Sequence, residues 1–305
     1  PVAMFRTAAQ CLCLAATLLA GSAGAATPIV EHAISGRLEP ADGTLAARDT
    51  VTLPESLLAG GRATFTLHSG LDPEVATTGA TLERLGAVRG TVPLERFRVT
   101  LPEGRRRFKL RYAGTIRHPL GEAVEGVGRR RSFTAGLIGE AGVFLGGASG
   151  WYPQFGGERV RFTLDVHLPE GWRAVSQGGD DGGRWREMQP QEGIYLVAGR
   201  YHRFRRTTPA GEALVFLREP EPALAERYLA ATSRYLALYG DLIGPYPYAK
   251  FALVENFWET GYGMPSFTLL GPRVVRLPFI VHTSYPHEIL HNWWGNSVFV
   301  DYDTG

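Results

Sequence analysis

His287-Glu288-Ile289-Leu290-His291-Asn292-Trp293-Trp294-Gly295-Asn296 is the stretch on which the reading of this 305-residue chain turns. It opens with the pattern H-E-x-x-H. On a helix, positions i and i+4 share a face with their Cβ atoms about 5–6 Å apart, so both imidazoles can reach one zinc ion while Glu288 stands beside them as a base for a water. Thr283 and Ser284 are capping residue types, Pro286 is tolerated in a first turn, and Gly295-Asn296 is a stop signal. These signals predict a helix that begins just before His287 and runs to Gly295-Asn296. Ile289, Leu290, Trp293 and Trp294 are expected to hold the two ligands deep in a core. The competing reading is a helix that merely packs or solvates two histidines on one face. Catalytic zinc usually takes three protein ligands and a water, and Asn292 to Gly305 include no His, Cys or Glu. The expectation is a third ligand beyond Gly305.

The same stretch resembles the zinc helix of the alanyl-aminopeptidase and leukotriene-hydrolase type zinc peptidases, the gluzincins, in which H-E-x-x-H is followed by Q-W-F/W-G-N. Only the Gln differs, replaced by Asn292. The resemblance implies a third zinc ligand, a Glu on the next helix past Gly305, and a transition-state Tyr further on. The metzincin continuation fails, because Trp294 stands where a Gly is required. The W-N-x-K/R run of the glycyl-aminopeptidase type is also missing. Upstream, Tyr262-Gly263-Met264-Pro265-Ser266 occupies the place of the family's G-A-M-E-N, a strand-edge segment whose Glu holds the substrate's amino terminus. Gly263 and Met264 match and are candidate substrate-binding residues, whereas Pro265 replaces the Glu and Ser266 the Asn. Glu255 and Glu259, just before this block, are candidates for a substitute amino-terminus anchor. Their alternative is a solvated or salt-bridged position.

At the amino terminus, Arg6 precedes an apolar run from Cys11 to Ala20, followed by Gly21-Ser22-Ala23-Gly24-Ala25. At about ten residues the run is too short for a membrane span of about 20, and Ala23-x-Ala25 is a small-residue cleavage site. Residues 1–25 therefore read as a secretory signal peptide with a few upstream residues, cleaved after Ala25, and the expected location is periplasmic or secreted. Cys11 and Cys13 are the two cysteines and both would leave with it, so neither a disulfide nor a thiolate ligand is expected.

A net charge of +2 favours neither nucleic acid nor an anionic membrane as partner. Lys109 and Lys250 stand against thirty arginines, a bias that makes Arg105-Arg106-Arg107 and Arg129-Arg130-Arg131 compositional rather than nucleic-acid-binding clusters. From Ile29 to about Leu217 the pattern has period two. Val160, Phe162, Leu164, Val166 and Leu168 alternate with polar residues and predict a half-buried antiparallel strand; Phe108, Leu110 and Tyr112, and Ala63, Phe65 and Leu67, do the same. Gly178 to Gly183 predict a hairpin turn, with a calcium loop disfavoured by the spacing of Asp180 and Asp181. His32, His68, His118, His167 and His202 are expected to be structural or surface histidines.

The pattern changes near residue 218. Pro222 suits a first helical turn, and Leu224, Tyr228, Ala231, Tyr235, Leu238 and Leu242 form one apolar stripe that ends at Gly240, Gly244 and Pro245. Phe251 to Glu255 read as a short strand. The expected organisation is α+β: a β domain over 26–217, an antiparallel β-sandwich or saddle, then, over 218–305, the first part of a thermolysin-like zinc peptidase domain, as the resemblance implies. The expected activity is zinc-dependent peptide-bond hydrolysis on a peptide or protein substrate, with His287 and His291 as ligands and Glu288 as general base. Residues 1–305 alone are expected to be inactive. Two alternatives stay open: an epoxide hydrolase using the same metal, and a non-catalytic peptidase-like scaffold.

Overall fold

The computed structural model describes residues 27–125 and 129–298. The signal-peptide segment, with Cys11 and Cys13, and the side chains of Arg129, Arg130 and Arg131 lie outside the described residues.

Alternation builds the first domain. A seven-stranded sheet runs in the order Gly179–Asp181, Arg184–Gln191, Arg159–His167, Ile29–Glu39, Thr44–Thr52, Arg107–Thr115 and Leu71–Val75. Ile29–Glu39 buries every second residue, and Phe108, Leu110 and Tyr112 on Arg107–Thr115 do the same, the signature of a sheet with one solvated face. The buried face shares a core with Ala63, Phe65, Leu67, Phe97 and Val99 of a three-stranded antiparallel sheet and with Val143, Leu145 and Leu196 to Ala198 of a four-stranded one. Two expectations need adjusting. Arg159–His167 is antiparallel only to Arg184–Gln191 and lies parallel to Ile29–Glu39, so the large sheet is mixed. Alternation reports burial and is blind to the direction of the neighbouring strand. The turn expected over Gly178 to Gly183 is confined to Gly182-Gly183, since Gly179–Asp181 is itself a strand paired with Arg184–Gln191, and Asp180 accepts from the Gly183 amide (2.8 Å) and pairs with Arg203 (3.0 Å).

A second, five-stranded sheet carries the site: His202–Thr208, Gly211–Leu217, Lys250–Glu255, Phe267–Leu270 and Gly261–Met264, the inner three parallel. It draws two strands from before residue 218, where the sequence pattern changes, because the helix that follows is the crossover of a β-α-β unit. Both faces of the inner strands are buried. Ala213, Val215, Leu217, Phe251, Leu253 and Leu270 face the helices, while Leu214, Phe216, Ala252, Val254, Phe267 and Leu269 complete the core of the β domain. The sheet is thus the wall between two cores.

The crossover helix spans Pro222–Leu242, with Pro222 in its first turn. Leu224, Ala225, Tyr228, Leu229, Ala231, Thr232, Tyr235 and Leu236 are buried. The stripe predicted from sequence keeps its face to the end, five steps over eighteen residues, but burial stops at Leu236: Leu238 and Leu242 are 45% and 71% exposed, so the core does not cover the last turns of the helix.

Candidate active site

His287 to Leu290 lie on the helix Ser284–Leu290 and His291 is its C-cap, its amide donating to the His287 carbonyl (3.2 Å); the helix begins after Thr283, whose hydroxyl donates back to the Phe279 carbonyl (3.0 Å) rather than capping it. Tyr285 and Ile289 seat it. Both are fully buried, and the Tyr285 hydroxyl lies 2.6 Å from Thr232 Oγ1 on the crossover helix. The helix is shorter than expected and stops at Leu290 rather than at Gly295. Past Leu290 the backbone tightens, the Asn292 and Trp293 amides taking the carbonyls three residues back, of Ile289 (3.1 Å) and Leu290 (3.0 Å), and Asn292 Nδ2 adds bonds to the carbonyls of Glu288 (3.2 Å) and Ile289 (3.0 Å). The chain then turns through Gly295 at φ +100°.

His287 and His291 converge. Their Nε2 atoms are 3.0 Å apart and their rings are perpendicular, with centroids 4.5 Å apart. Zn–N bonds of about 2.0–2.1 Å in a tetrahedral site place two ligand nitrogens about 3.3 Å apart, so these two imidazoles fit one ion. The His291 Nδ1 lies 3.2 Å from the Trp294 carbonyl. A proton held there leaves Nε2 as the free lone pair, the usual way a ligand's tautomer is fixed. Among the described residues, no three His, Cys, Asp or Glu side chains are arranged so that all could ligate one metal ion.

The two histidines are less deep than the sequence suggested. His287 is exposed, and Glu288 and His291 are half-buried. Trp293 is buried, donating its indole N–H to the Gly244 carbonyl (2.9 Å), whereas Trp294 is 66% exposed. Two adjacent residues on a helical turn point about 100° apart, so both could not enter the same core.

Beside the helix lies Gly261–Met264, the edge strand of the five-stranded sheet, hydrogen-bonded antiparallel to Phe267–Leu270. Gly263 faces the H-E-x-x-H residues: a Cβ there would fall 2.3 Å from Glu288 Oε2 and 3.5 Å from His291 Cδ2. The structure therefore brings Gly263, Glu288, His287 and His291 together. Met264 buries its side chain in the β-domain core and can offer a substrate only its backbone. Glu255 is 2% exposed and pairs with Arg276 (2.7 Å) and the Arg218 amide (2.8 Å). Glu259 accepts from the amide and side chain of Arg273 (3.0 and 2.9 Å). Both carboxylates are held by arginines.

Sequence reasoning gave no role to three residues around the Pro265 turn: Ser266, Lys250 and Asn292. Ser266 is fully buried and adopts φ +66°, alone among the described non-glycine residues in having positive φ. Its amide donates to Asn292 Oδ1 (2.7 Å). Lys250, 1% exposed, donates to the Ser266 hydroxyl (2.7 Å), the Ser266 carbonyl (3.0 Å) and the Ser176 carbonyl (2.8 Å). Desolvation lowers its pKa to about 7, opposed by the negative charges of Glu187 and Asp180. The signal was present in the composition, where two lysines survive among thirty arginines.

Set against solved structures, the chain is similar to native yeast LTA4 hydrolase (TM-score 0.63, 14% identity), 88% of it matching 44% of that chain. It is similar as well to the M1 zinc metallopeptidase of Deinococcus radiodurans (TM-score 0.59, 19% identity), 90% of it matching 65% of that chain. A mutant of the latter enzyme bound to a Tyr-Ser-Ala substrate gives the same TM-score, 0.59. No protein-family model and no curated protein matches the chain. The fold is that of the M1, gluzincin-type zinc metallopeptidases: a β domain followed by the opening elements of a thermolysin-like domain. The chain spans 44% and 65% of the lengths of these two proteins.

Proposed function

We propose that this chain is the amino-terminal part of a periplasmic or secreted zinc hydrolase that cleaves peptide bonds, with aminopeptidase-like chemistry. The observation that carries the proposal is the convergence of His287 and His291 Nε2 to 3.0 Å beside Glu288 and the edge-strand Gly263. The likeness in fold to M1 zinc metallopeptidases, one with a bound tripeptide, supports it. His287 and His291 would hold the zinc, with a third ligand from outside the described residues. When bound, zinc would lower the pKa of a water toward about 7 and polarise the scissile carbonyl. Glu288 takes the proton from the attacking water and passes it to the leaving amine. Gly263 lets an extended peptide approach along the free edge of the sheet, where main-chain hydrogen bonds align it beside Glu288. No helix among the described residues is long and apolar enough to cross a membrane.

Peptidase and scaffold readings separate at Glu288. A binding scaffold has no need of a carboxylate there, and this one is present on the ligand face. The likeness to yeast LTA4 hydrolase keeps epoxide opening as the second reading. The test is zinc analysis of the protein from the complete gene, together with hydrolysis of aminoacyl-arylamides and blocked peptides. About one zinc per chain with turnover supports the peptidase reading; bound zinc without peptide hydrolysis rejects it.

A further inference from the structure

Three parts of the chain meet at the Pro265 turn: the strand Lys250–Glu255, Asn292 after the helix Ser284–Leu290, and Gly178 of the β domain. Two-residue hairpin loops rarely contain Pro265-Ser266, since Pro fixes a negative φ at the first position and the second must then turn left-handed. Ser266 does so at φ +66°, a conformation that Ser adopts only where its surroundings hold it. Those surroundings are polar. The Ser266 carbonyl receives the Ala252 amide (3.1 Å) as well as Lys250 Nζ, and the Ser266 hydroxyl receives the Gly178 amide (3.1 Å) of the β domain. An ammonium has three N–H donors, and the three acceptors around Nζ match them in number. The Trp185 and Phe267 rings, with centroids 5.3 and 5.2 Å from Nζ, close the site. A planar guanidinium presents five donors in a rigid fork and could not be satisfied here, which explains why a chain otherwise built with arginine keeps a lysine at 250.

From this knot a path leads to the base. Ser266 N–H donates to Asn292 Oδ1, and Asn292 Nδ2 donates to the Glu288 carbonyl. Three residues back along the strand, Gly263 abuts the Glu288 carboxylate. We propose that Lys250 is a positioning residue for Glu288: through Ser266 and Asn292 it fixes the spacing between the edge strand and the metal-binding helix, and so aims the carboxylate. Lys250 touches no reacting atom. The catalytic part of this role rests on the peptidase reading; the spacing itself does not. Keeping a charge that burial disfavours at a domain junction is a cost that a purely apolar side chain would avoid, and such costs concentrate at functional sites.

The test uses Lys250→Met, which keeps length and apolar volume, and Ser266→Gly, which permits the positive φ but removes the hydroxyl acceptor. In the protein from the complete gene, hydrogen exchange over residues 261–270 and 284–292 should accelerate about tenfold in both variants, while residues 29–52 exchange as in the parent. Zinc content should stay at the parent value. The kcat should fall about tenfold with KM nearly unchanged, since a misplaced base lowers kcat and leaves substrate binding intact. Parent-like exchange over 261–270 in both variants, or loss of zinc together with activity, overturns the proposal. Should Lys250→Met not fold, Ser266→Gly decides alone by the same criteria. A parent without peptidase activity sinks the peptidase reading only, because the exchange measurement needs no turnover.

Discussion

Gly263 on the edge strand stands so close to Glu288 on the helix Ser284–Leu290 that a single added methyl group would sit 2.3 Å from the carboxylate oxygen. This position requires glycine for space alone, as Gly263 is not among the residues with positive φ. The atom in the way is the far end of a flexible side chain, so the carboxylate, rather than the backbone, would yield.

Gly263→Ala should therefore fold normally and misaim the base. The expected result is a kcat reduced by about 10²-fold with zinc content and thermal midpoint close to the parent, because a displacement of about 1 Å at a reacting group costs that much. Activity equal to the parent's would show that the carboxylate has room to work elsewhere.

Glu288→Gln keeps size and hydrogen-bonding capacity but removes the base. It should retain zinc at the parent level and lower peptide hydrolysis by about 10²-fold or more. His291→Ala should lose both metal and activity, since it removes one of the two convergent Nε2 atoms. Parent-rate hydrolysis by the Gln variant would remove Glu288 from the mechanism.

The sequence showed the local features of this molecule and hid the relations between distant parts. The i, i+4 spacing of His287 and His291 survives intact because a helix fixes it, and the buried alternation of Phe108, Leu110 and Tyr112 survives because a pleat fixes it. The parallel pairing of Arg159–His167 with Ile29–Glu39 depends on a partner over a hundred residues away, which no local period records. Asn292 read only as a departure from the Gln of the zinc-peptidase pattern, yet its short amide joins the carbonyls at the helix end to the amide of Ser266. Ser266 read only as a departure from the Asn of G-A-M-E-N, and Lys250 carried no motif at all. Their importance comes from being buried together at the junction of two cores.

Glu255 and Glu259 were candidates to hold a substrate's amino group in place of the residue that Pro265 displaces. Glu255 is spoken for: one oxygen takes Arg276 and the other the Arg218 amide. Glu255→Gln should then act mainly on stability, at a cost of about 2 kcal/mol in urea unfolding, typical for losing a charge-assisted, nearly buried partner. The ratio of activity on free to acetylated amino termini should not move. A ratio that collapses in Glu255→Gln but holds in Glu259→Gln would assign the anchor to Glu255 after all.

Lys250 gives the protein an unusual dependence of stability on pH. Its pKa falls from 10.5 when unfolded to about 7 when folded, chiefly through burial. Between these values the unfolded chain holds a proton that the folded one has released, so stability rises with pH, by up to about 1.4 kcal/mol per pH unit for this one group. Below about 7 both states are protonated and the contribution is flat. Glu187, the buried carboxyl nearest in effect, has its pKa raised from 4.5 by desolvation and acts in the opposite sense on the acid side. Its stabilising protonation is lost as pH rises through its folded pKa. The measurement is urea unfolding of parent and Lys250→Met at pH 6, 7, 8 and 9. The stability difference, parent minus variant, should be level from pH 6 to 7 and then grow in the parent's favour to pH 9. A difference that stays level across all four values would mean that Lys250 keeps its proton in the folded chain throughout, held by its three oxygen acceptors more firmly than burial opposes it.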